Sequence, residues 1–299
     1  MKKSVSLLLA GLMLCGALTG CGGNNDSASY GEGGESQTAE STTGTSGAIH
    51  VVSREDGSGT RGAFVELTGV EDDNGDNTTV EAEIANRTDA VLTTVAGNEA
   101  AIGYVSLGSL NDTVKAVTVD GVEATVDNVK SGDYTLSRPF NIATKGEPTG
   151  VAADFINFIM SADGQAIVGE DYITVNDNAE AFTSDGSSGH ITVGGSSSVS
   201  PVMEQLIEAY KAVNPNAQID LQTSDSTSGM TGAMDGTFAI GMASRELKDE
   251  EAAELTGTAI ALDGIAVIVN TANTVDNLTM DQIRSIYVGE TTDWADVAA

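Results

Sequence analysis

The sequence predicts an α/β fold with mainly parallel sheets, and two observations lead to this prediction. Short β-branched segments alternate along the chain with amphipathic segments that have the period of a helix. Loops rich in Gly and Ser follow several of the predicted strands and lead directly into helices. The chain of 299 residues has room for two modest domains, and 40% of its residues are apolar, which is enough for a buried core.

Charge and rare residue types exclude several functions. Acidic residues number 44 against 13 Lys plus Arg, and a net charge of -31 repels phosphodiester backbones and anionic lipid headgroups. We therefore expect no nucleic-acid partner. Two His and two Cys are too few for a multi-ligand zinc site or a disulfide framework. Asp72–Asn77 lacks the terminal Glu spacing of a calcium loop, so we assign no metal and no cofactor.

The amino terminus has the layout of an export signal. Two lysines precede an apolar run, Ser4–Leu18, that is too short to span a bilayer stably. The segment Leu18–Cys21 resembles a bacterial lipobox, which predicts a lipoprotein signal peptide at 1–20 and a lipidated Cys21. The following stretch, 21–47, is rich in Gly, Ser and Thr and predicts a flexible tether. The alternative is an amphipathic or core helix with an incidental Cys.

Strands and helices alternate in the first half of the folded region, which begins near Ala48. The strands are predicted from β-branched composition and from the glycines that interrupt it. The helices are predicted from apolar spacing. The predicted strands are Ile49–Ser53, Val91–Thr94, Ile102–Val105 and Val114–Val119, and the predicted helices are Gly62–Leu67 and Val151–Met160.

After the polar stretch Ser184–Gly189, the same alternation starts again. The clearest helix is Pro201–Val213, because Ser200 suits the N-cap and Pro201 suits the first turn. Its apolar residues recur with helical spacing, at Met203, Leu206, Ile207 and Tyr210. The other predicted elements are strands at Ile191–Val193, Ile219–Gln222, Phe238–Met242 and Ala261–Asn270, and a short helix after Ser228.

Polar loops lie at three places between a predicted strand and a predicted helix: Ser53–Thr60, Gly194–Ser200 and Ser224–Gly229. Ligands of open α/β sheets bind at the carboxyl ends of strands, where helix N-termini offer unpaired N–H groups. Ser and Thr add neutral donors, and Arg54 adds a guanidinium that matches an oxyanion. The three loops together predict an oxyanion site. Taken singly, each loop is more typical of an N-cap and a turn, and Arg54 of a surface ion pair.

Two other classes of function fit the residues less well. A secreted hydrolase would use Ser58 as its nucleophile, but His50 and His190 lie at strand starts and neither is placed as its base. The sequence contains no Gly-x-Ser-x-Gly and no Walker A pattern. A surface interaction protein would use the α/β body only as a scaffold. We predict a binding protein rather than an enzyme.

Several segments resemble the phosphate-binding proteins of phosphate-specific ABC transporters. They are VVSREDGSGTRGAF (51–64), ITVGGSSSVSPVMEQLIEAYKAVNP (191–215), SDSTSGM (224–230), AIGMASRELKDEE (239–251) and ALDGIAVIVN (261–270). The resemblance implies a two-lobed periplasmic-binding-protein fold of type II, with a central ligand cleft and two hinge crossings. It also implies an extracytoplasmic protein that captures inorganic phosphate for the permease subunits of an ABC importer and touches the membrane only through its lipid anchor.

The order of these segments differs from the family order, in which the Gly/Ser-rich segment precedes the Arg-containing one. We therefore expect a circular permutation, with one lobe at 136–260 and the other built from 48–135 plus 261–299. Hinge crossings are expected at Tyr134–Phe140 and Thr258–Asp263. One alternative is a fragment of a longer tandem phosphate-binding protein. Another is a phosphate or oxyanion sensor or scavenger that is not coupled to transport.

The resemblance further implies the residues of the site. Phosphate ligands are expected at Arg54, Ser58, Gly59 and Thr60 of one lobe, and at Ser198, the Val199 backbone N–H, Ser226 and Ser244 of the other. Asp56 is expected to pair with Arg54 and hold its guanidinium. Asp225 is a candidate acceptor for the proton that hydrogen phosphate carries and sulfate lacks. The alternative for Asp225 is a helix-capping carboxylate.

Overall fold

The computed structural model describes residues 45–297. The strands of this range are β1 (His50–Arg54), β2 (Glu71–Asp72), β3 (Gly75–Asp76), β4 (Glu83–Ala85), β5 (Ala101–Ser106), β6 (Val114–Ala116), β7 (Thr118–Val119), β8 (Ser137–Thr144), β9 (Gly189–Ser196), β10 (Ala217–Ser224), β11 (Ile240–Ala243), β12 (Thr256–Asn270) and β13 (Asn277–Leu278). The helices are α1 (Gly59–Thr68), α2 (Thr88–Gly97), α3 (Val126–Ser131), α4 (Val151–Met160), α5 (Ala162–Asp171), α6 (Ser200–Val213), α7 (Ser226–Asp235), α8 (Asp249–Ala252) and α9 (Met280–Tyr287).

A mixed sheet joins nine of these strands in the order β10-β9-β11-β8-β12-β5-β1-β4, with β6 paired to β12 beside this path. The flanking pairs of this sheet are parallel, but β8 and β12 run antiparallel to each other and to their other neighbours. The prediction of mainly parallel sheets is therefore wrong for the centre of the sheet. The reason is that the chain passes through the centre twice, in opposite directions.

The long strand β12 explains where a ligand site can form. Its first half pairs with β8, beyond which β11 and β9 run in the direction of β12. Its second half pairs with β5, and β5 and β1 run in the opposite direction. The carboxyl ends of both sets of strands consequently point toward the middle of β12. Ligands of α/β sheets bind at such ends.

Apolar side chains form two main cores on either side of this point. One core takes its buried residues from 140–261, including Phe155 and Leu206. The other takes them from 51–136 and 265–294, together with Ile173. Strand β12 contributes to both cores, through Ile260 and Ala261 to the first and through Ile265, Val267 and Val269 to the second. The border between the cores falls at the start of β8 and in the middle of β12.

Most predicted elements are present, and the exceptions have physical reasons. Helix α4 has the predicted bounds, and all four apolar residues predicted for α6 are buried. The predicted strand Val91–Thr94 is wrong because these residues lie in α2, where Val91 and Val95 pack on one helical face against β5. Helix α1 starts three residues before its predicted start, since Ser58 caps it. Helix α6 starts at Ser200, so Val199 and not Ser200 is its N-cap.

The two ends of the described range lie side by side. Ala48 forms an isolated bridge with Asp293, the Gly47 N–H donates to Asp293 Oδ1 at 3.1 Å, and the Trp294 N–H donates to the Gly47 carbonyl at 3.0 Å. The predicted signal peptide, Cys21 and most of the predicted tether lie outside the described residues. No helix between 45 and 297 is long and apolar enough to cross a membrane.

A buried carboxylate, Asp154, holds α4 to its neighbours. Its oxygens accept hydrogen bonds from Tyr210 Oη and Ser184 Oγ at 2.7 Å, from the Asp185 N–H at 3.0 Å and from Asn214 Nδ2 at 3.2 Å. Burial alone raises the pKa of this carboxyl, but the hydrogen bonds outweigh burial and hold the pKa below its ordinary value. Asp154 is therefore charged in the folded protein at neutral pH.

We expect Asp154→Asn to lower the free energy of unfolding by roughly 2–3 kcal/mol at pH 7, because buried donors lose a charged acceptor. A lowered folded-state pKa contributes stability that is present above the unfolded pKa of about 4 and is lost as pH falls through the folded-state value. The difference between wild type and variant in urea unfolding should therefore shrink as pH falls below about 4. A difference that stays constant down to the acid transition contradicts this role. Exposed Asp112→Asn is the control and should change stability by less than about 0.5 kcal/mol.

Candidate functional site

Hydroxyl side chains meet where the strand ends point toward the middle of β12. Strands β1, β9 and β10 are followed by the N-termini of α1, α6 and α7, and β11 ends just before Ser244. Helix N-termini carry partial positive charge and N–H groups without intrahelical partners. The predicted residues Ser58, Thr60, Ser198 and Ser226 stand at these three N-termini and are all buried. Local strand-loop-helix sequences thus bring donors to one place.

Thr60 is the centre of this hydroxyl cluster. Its Oγ1 lies 2.8 Å from Ser198 Oγ and 3.3 Å from Ser244 Oγ. Ser196 Oγ donates to Ser244 Oγ at 3.0 Å, and Thr88 Oγ1 lies 3.3 Å from Ser198 Oγ. Residues separated by more than 100 positions in sequence therefore share one hydrogen-bonded network.

Donors fixed in the backbone set the direction of several of these hydroxyls. The Arg61 N–H donates to Ser58 Oγ at 3.3 Å, and the Ser244 N–H donates to Ser226 Oγ at 3.1 Å. An oxygen that accepts from a backbone N–H keeps its own O–H proton for another acceptor. Ser58 and Ser226 can therefore donate outward. Such an array of neutral donors suits a small oxyanion.

Arg54 supplies the charge beside the hydroxyl cluster. Its side chain is buried, its Nη2 donates to Ser197 Oγ at 3.2 Å, and its Nε and Nη2 both donate to the Glu55 carboxylate at 2.8 Å. The expected pair between Arg54 and Asp56 is wrong. Asp56 instead accepts from Arg61 Nη1 at 2.8 Å, because α1 begins early enough to place Arg61 over the loop.

An aromatic side chain holds the backbone of Arg54 in place. Tyr104 Oη accepts from the Arg54 N–H at 3.3 Å and lies 2.9 Å from Ser53 Oγ. Its ring stacks on Phe64 of α1, with centroids 3.9 Å apart. Burial raises the pKa of Tyr104 to about 12, so this hydroxyl stays protonated at neutral pH. The hydroxyl thus fixes the end of β1 without adding charge.

The loops on the two sides of the site touch closely. The Thr227 N–H donates to the Gly57 carbonyl at 3.1 Å. A Cβ placed on Gly59 would lie 2.4 Å from Ser226 Oγ, and one on Gly57 would lie 2.4 Å from Asp225 Oδ1. A side chain at either position would have to displace these side chains of the facing loop, so glycine permits the close approach of the two loops. The predicted residue Gly59 therefore stands where any side chain would meet Ser226.

Two predicted residues are engaged differently from the expectation. The Val199 N–H donates to the Ser196 carbonyl at 3.1 Å, so it is occupied by the turn rather than directed into the cluster. Asp225 is the N-cap of α7, with Oδ1 accepting from the Ser228 N–H at 2.8 Å and Oδ2 from Ser228 Oγ at 2.6 Å. The capping role, given as the alternative for Asp225, is the one observed.

Sequence reasoning missed several residues of the cluster. Ser196 and Ser197 belong to the same serine run as Ser198, so the run itself was a signal for them. Thr88 was hidden by the wrong strand prediction for the start of α2. Arg138, whose Nη2 donates to Thr60 Oγ1 at 3.2 Å, is distant in sequence from the three predicted loops and was not among the predicted site residues.

A cavity of about 380 Å³ adjoins the hydroxyl cluster, and Thr88, Ser197 and Ser109 are among its lining residues. It is large enough for a small hydrated anion to approach Ser197. Among residues 45–297, no group of three or more His, Cys, Asp or Glu side chains could hold a metal ion. Thr88 and Ser197 present hydroxyl donors to this cavity.

Comparisons with known proteins agree with this geometry. A family model described as the PBP superfamily domain matches residues 29–163 and 180–299. The chain is 47% identical over 304 residues to the phosphate-binding protein PstS 2 of Streptococcus agalactiae, covering 99% of this chain and 98% of the relative. It is 44% identical over 300 residues to PstS 2 of Streptococcus pneumoniae, covering 98% of this chain and 99% of the relative.

A solved structure shows the same relationship. The crystal structure of a phosphate-binding protein of a phosphate ABC transporter from Streptococcus pneumoniae TIGR4 matches with a TM-score of 0.68 at 46% identity. The match covers 84% of this chain and 100% of that chain. Sheet, strand ends and donor cluster thus define a substrate-binding protein of the PBP superfamily. Within it, the chain belongs to the PstS-type phosphate-binding proteins.

The family membership and the α/β periplasmic-binding-protein fold expected from the motifs are confirmed. The relatives are substrate-binding proteins of ABC transporters. The permuted segment order, the lobe boundaries and the role of each site residue as a phosphate ligand stay predictions.

Proposed function

We propose that the protein captures inorganic phosphate at the hydroxyl cluster and delivers it to the permease subunits of an ABC importer. The observation that carries this proposal is the set of buried hydroxyls around Thr60. Ser58 and Ser226 accept hydrogen bonds from backbone N–H groups, so their own O–H protons can be donated to an anion. Arg54 adds one positive charge, balanced by Glu55. A site of this kind binds mainly through neutral dipoles. The net charge of -31 is compatible with it because surface charges are screened beyond roughly 8 Å.

Binding is proposed to close two lobes about a hinge. The lobes are 136–260 on one side and 48–135 plus 261–299 on the other, with crossings at Tyr134–Phe140 and Thr258–Asp263. The separate cores and the register shift in β12 between Ala259 and Ala261 support this division. A phosphate that accepts hydrogen bonds from both lobes would favour the closed state, because only in that state do all of the donors reach it.

The proposal also covers where the protein is located and the permuted order of its segments. Export, followed by attachment to the membrane through a lipidated Cys21, agrees with the family of extracytoplasmic binding proteins. A circular permutation joins the original ends and opens the chain between two residues that were neighbours in the fold, so the ends of the permuted chain must lie close together. The contacts of Gly47 and Ala48 with Asp293 and Trp294 meet this geometric condition.

Calorimetric titration of residues 48–299 with phosphate and with sulfate at near-neutral pH tests this function, on material shown by light scattering to be monomeric. We expect one phosphate site per monomer, no heat with sulfate, and a smaller radius of gyration by X-ray scattering when phosphate is added. Phosphate binding without compaction would refute the proposed closure about the hinge and leave the proposed binding function standing. A folded monomer that binds no phosphate would refute the function and favour an interaction protein.

A further inference from the structure

A buried ion pair joins the two central strands beside the hydroxyl cluster. Arg138 of β8 stands opposite Asp263 of β12 in the antiparallel register. Both side chains are at least 97% buried, and Arg138 Nη1 donates to Asp263 Oδ2 and, at 2.8 Å, to the Gly264 carbonyl. Ser106 Oγ, at the end of β5, donates to the same Asp263 oxygen at 2.8 Å. One edge of the guanidinium is thus anchored to β12.

The other edge of the guanidinium reaches the site. Arg138 Nη2 donates to Thr60 Oγ1 at 3.2 Å, and the guanidinium carbon lies 5.1 Å from the centre of the Phe140 ring. Within the described range, Arg138 Nε is buried without a hydrogen-bond partner. Polar atoms left unpaired in this way are costly. A contribution to stability is therefore not a sufficient explanation for this buried ion pair.

Hydrogen-bond chemistry gives the contact with Thr60 a direction. A guanidinium has only donors, so Thr60 Oγ1 must accept from Arg138. The single O–H proton of Thr60 is then available to Ser198 Oγ or to a bound anion. Without the Arg138 contact, the hydroxyl can rotate and present a lone pair, which repels an anion.

We propose that Arg138, held by Asp263, is a positioning residue of the anion site that fixes Thr60 as a hydrogen-bond donor to the bound anion. This inference rests on the proposed phosphate-binding function and adds to it a residue outside the strand-loop-helix motifs. Lys cannot replace Arg at this position, because one ammonium nitrogen paired with Asp263 does not also offer a second, fixed donor edge to Thr60.

A double-mutant cycle measured by phosphate titration tests the proposal. We expect Thr60→Val to weaken phosphate binding about 10- to 100-fold, the effect of one lost hydrogen bond to a charged group. We expect Arg138→Lys to weaken it about 10-fold in the wild-type and Thr60→Ser backgrounds, and less than about 2-fold in the Thr60→Val background. A residue that only supports the fold would cost the same factor in all three backgrounds.

Controls separate this inference from the function on which it rests. Thr68→Val removes a buried hydrogen bond to the Phe64 carbonyl, at 2.6 Å, in the last turn of α1 and outside the hinge crossings, and should leave phosphate affinity unchanged. If Arg138→Lys does not fold, Arg138→Met combined with Asp263→Asn removes both charges, and the same cycle applies. Additive losses, or full affinity of Arg138→Lys, overturn the positioning role while phosphate binding by wild type stands. Wild type that binds no phosphate overturns both.

Discussion

Gly59→Val is expected to lower phosphate affinity by about 100-fold or more and to destabilise the fold by about 1–3 kcal/mol, as overpacking of a buried position does. The reason is steric, because a Cβ at this position would lie 2.4 Å from Ser226 Oγ and 2.9 Å from Ser244 Oγ. Separating these atoms to ordinary contact requires a displacement of about 1 Å, which is sufficient to disrupt a site built from short hydrogen bonds. Titration with phosphate measures the loss, and thermal unfolding without phosphate reports on the fold.

A second glycine of the same helix provides a matched control. A Cβ on Gly62 would lie 3.9 Å from Arg245 Cδ, an ordinary contact distance. Gly62→Ala should therefore keep the phosphate affinity and raise the free energy of unfolding by about 0.5–1 kcal/mol, since Ala is the better helix former. Equal affinities of Gly59→Val and Gly62→Ala would show that the two sides of the site do not approach each other in the bound state.

Elements with a strong local pattern could be predicted from the sequence. The apolar spacing of α4 and α6 is decided within each segment, and their buried faces agree with it. Strand β8 could not be predicted in this way, because SRPFNIAT contains Pro139 and several polar residues. It is a strand because β11 and β12 pair with it from distant parts of the chain. Tertiary contacts likewise make a helix of the β-branched residues in α2.

The same limit applies to the site. The strand-loop-helix motifs predicted that Thr60, Ser198 and Ser226 come together, the family resemblance added Ser244, and the structure places all four in one network. The partner of Arg54 could not be predicted, because two adjacent carboxylates follow it and the position of α1 decides between them. Arg138 was beyond local reasoning for a different reason. Its contact with Thr60 spans 78 positions and exists only because β8 crosses the centre of the sheet.

Arg54→Met is expected to weaken phosphate binding about 100-fold, because a buried cation that contacts the hydroxyl cluster is lost. The fold should survive the change. The side chain of Glu55, which loses its partner, is 21% exposed, so water can solvate the carboxylate. Phosphate titration of the variant measures the effect, and unfolding in urea shows whether the protein remains native.

The control for Arg54→Met removes one positive charge from a nearby arginine and leaves the contact of Arg54 with the hydroxyl cluster intact. Arg87 pairs with Asp89 at 3.1 Å, lines the cavity beside the cluster, and has a side chain that is 54% exposed. Arg87→Met should change phosphate affinity by less than about 3-fold, because an exposed charge acts through screened, long-range attraction. Equal losses in the two variants would mean that the general field of the protein, rather than the buried guanidinium at Ser197, sets the affinity. A 100-fold loss confined to Arg54→Met would instead place the charge requirement at one buried donor in an otherwise neutral site.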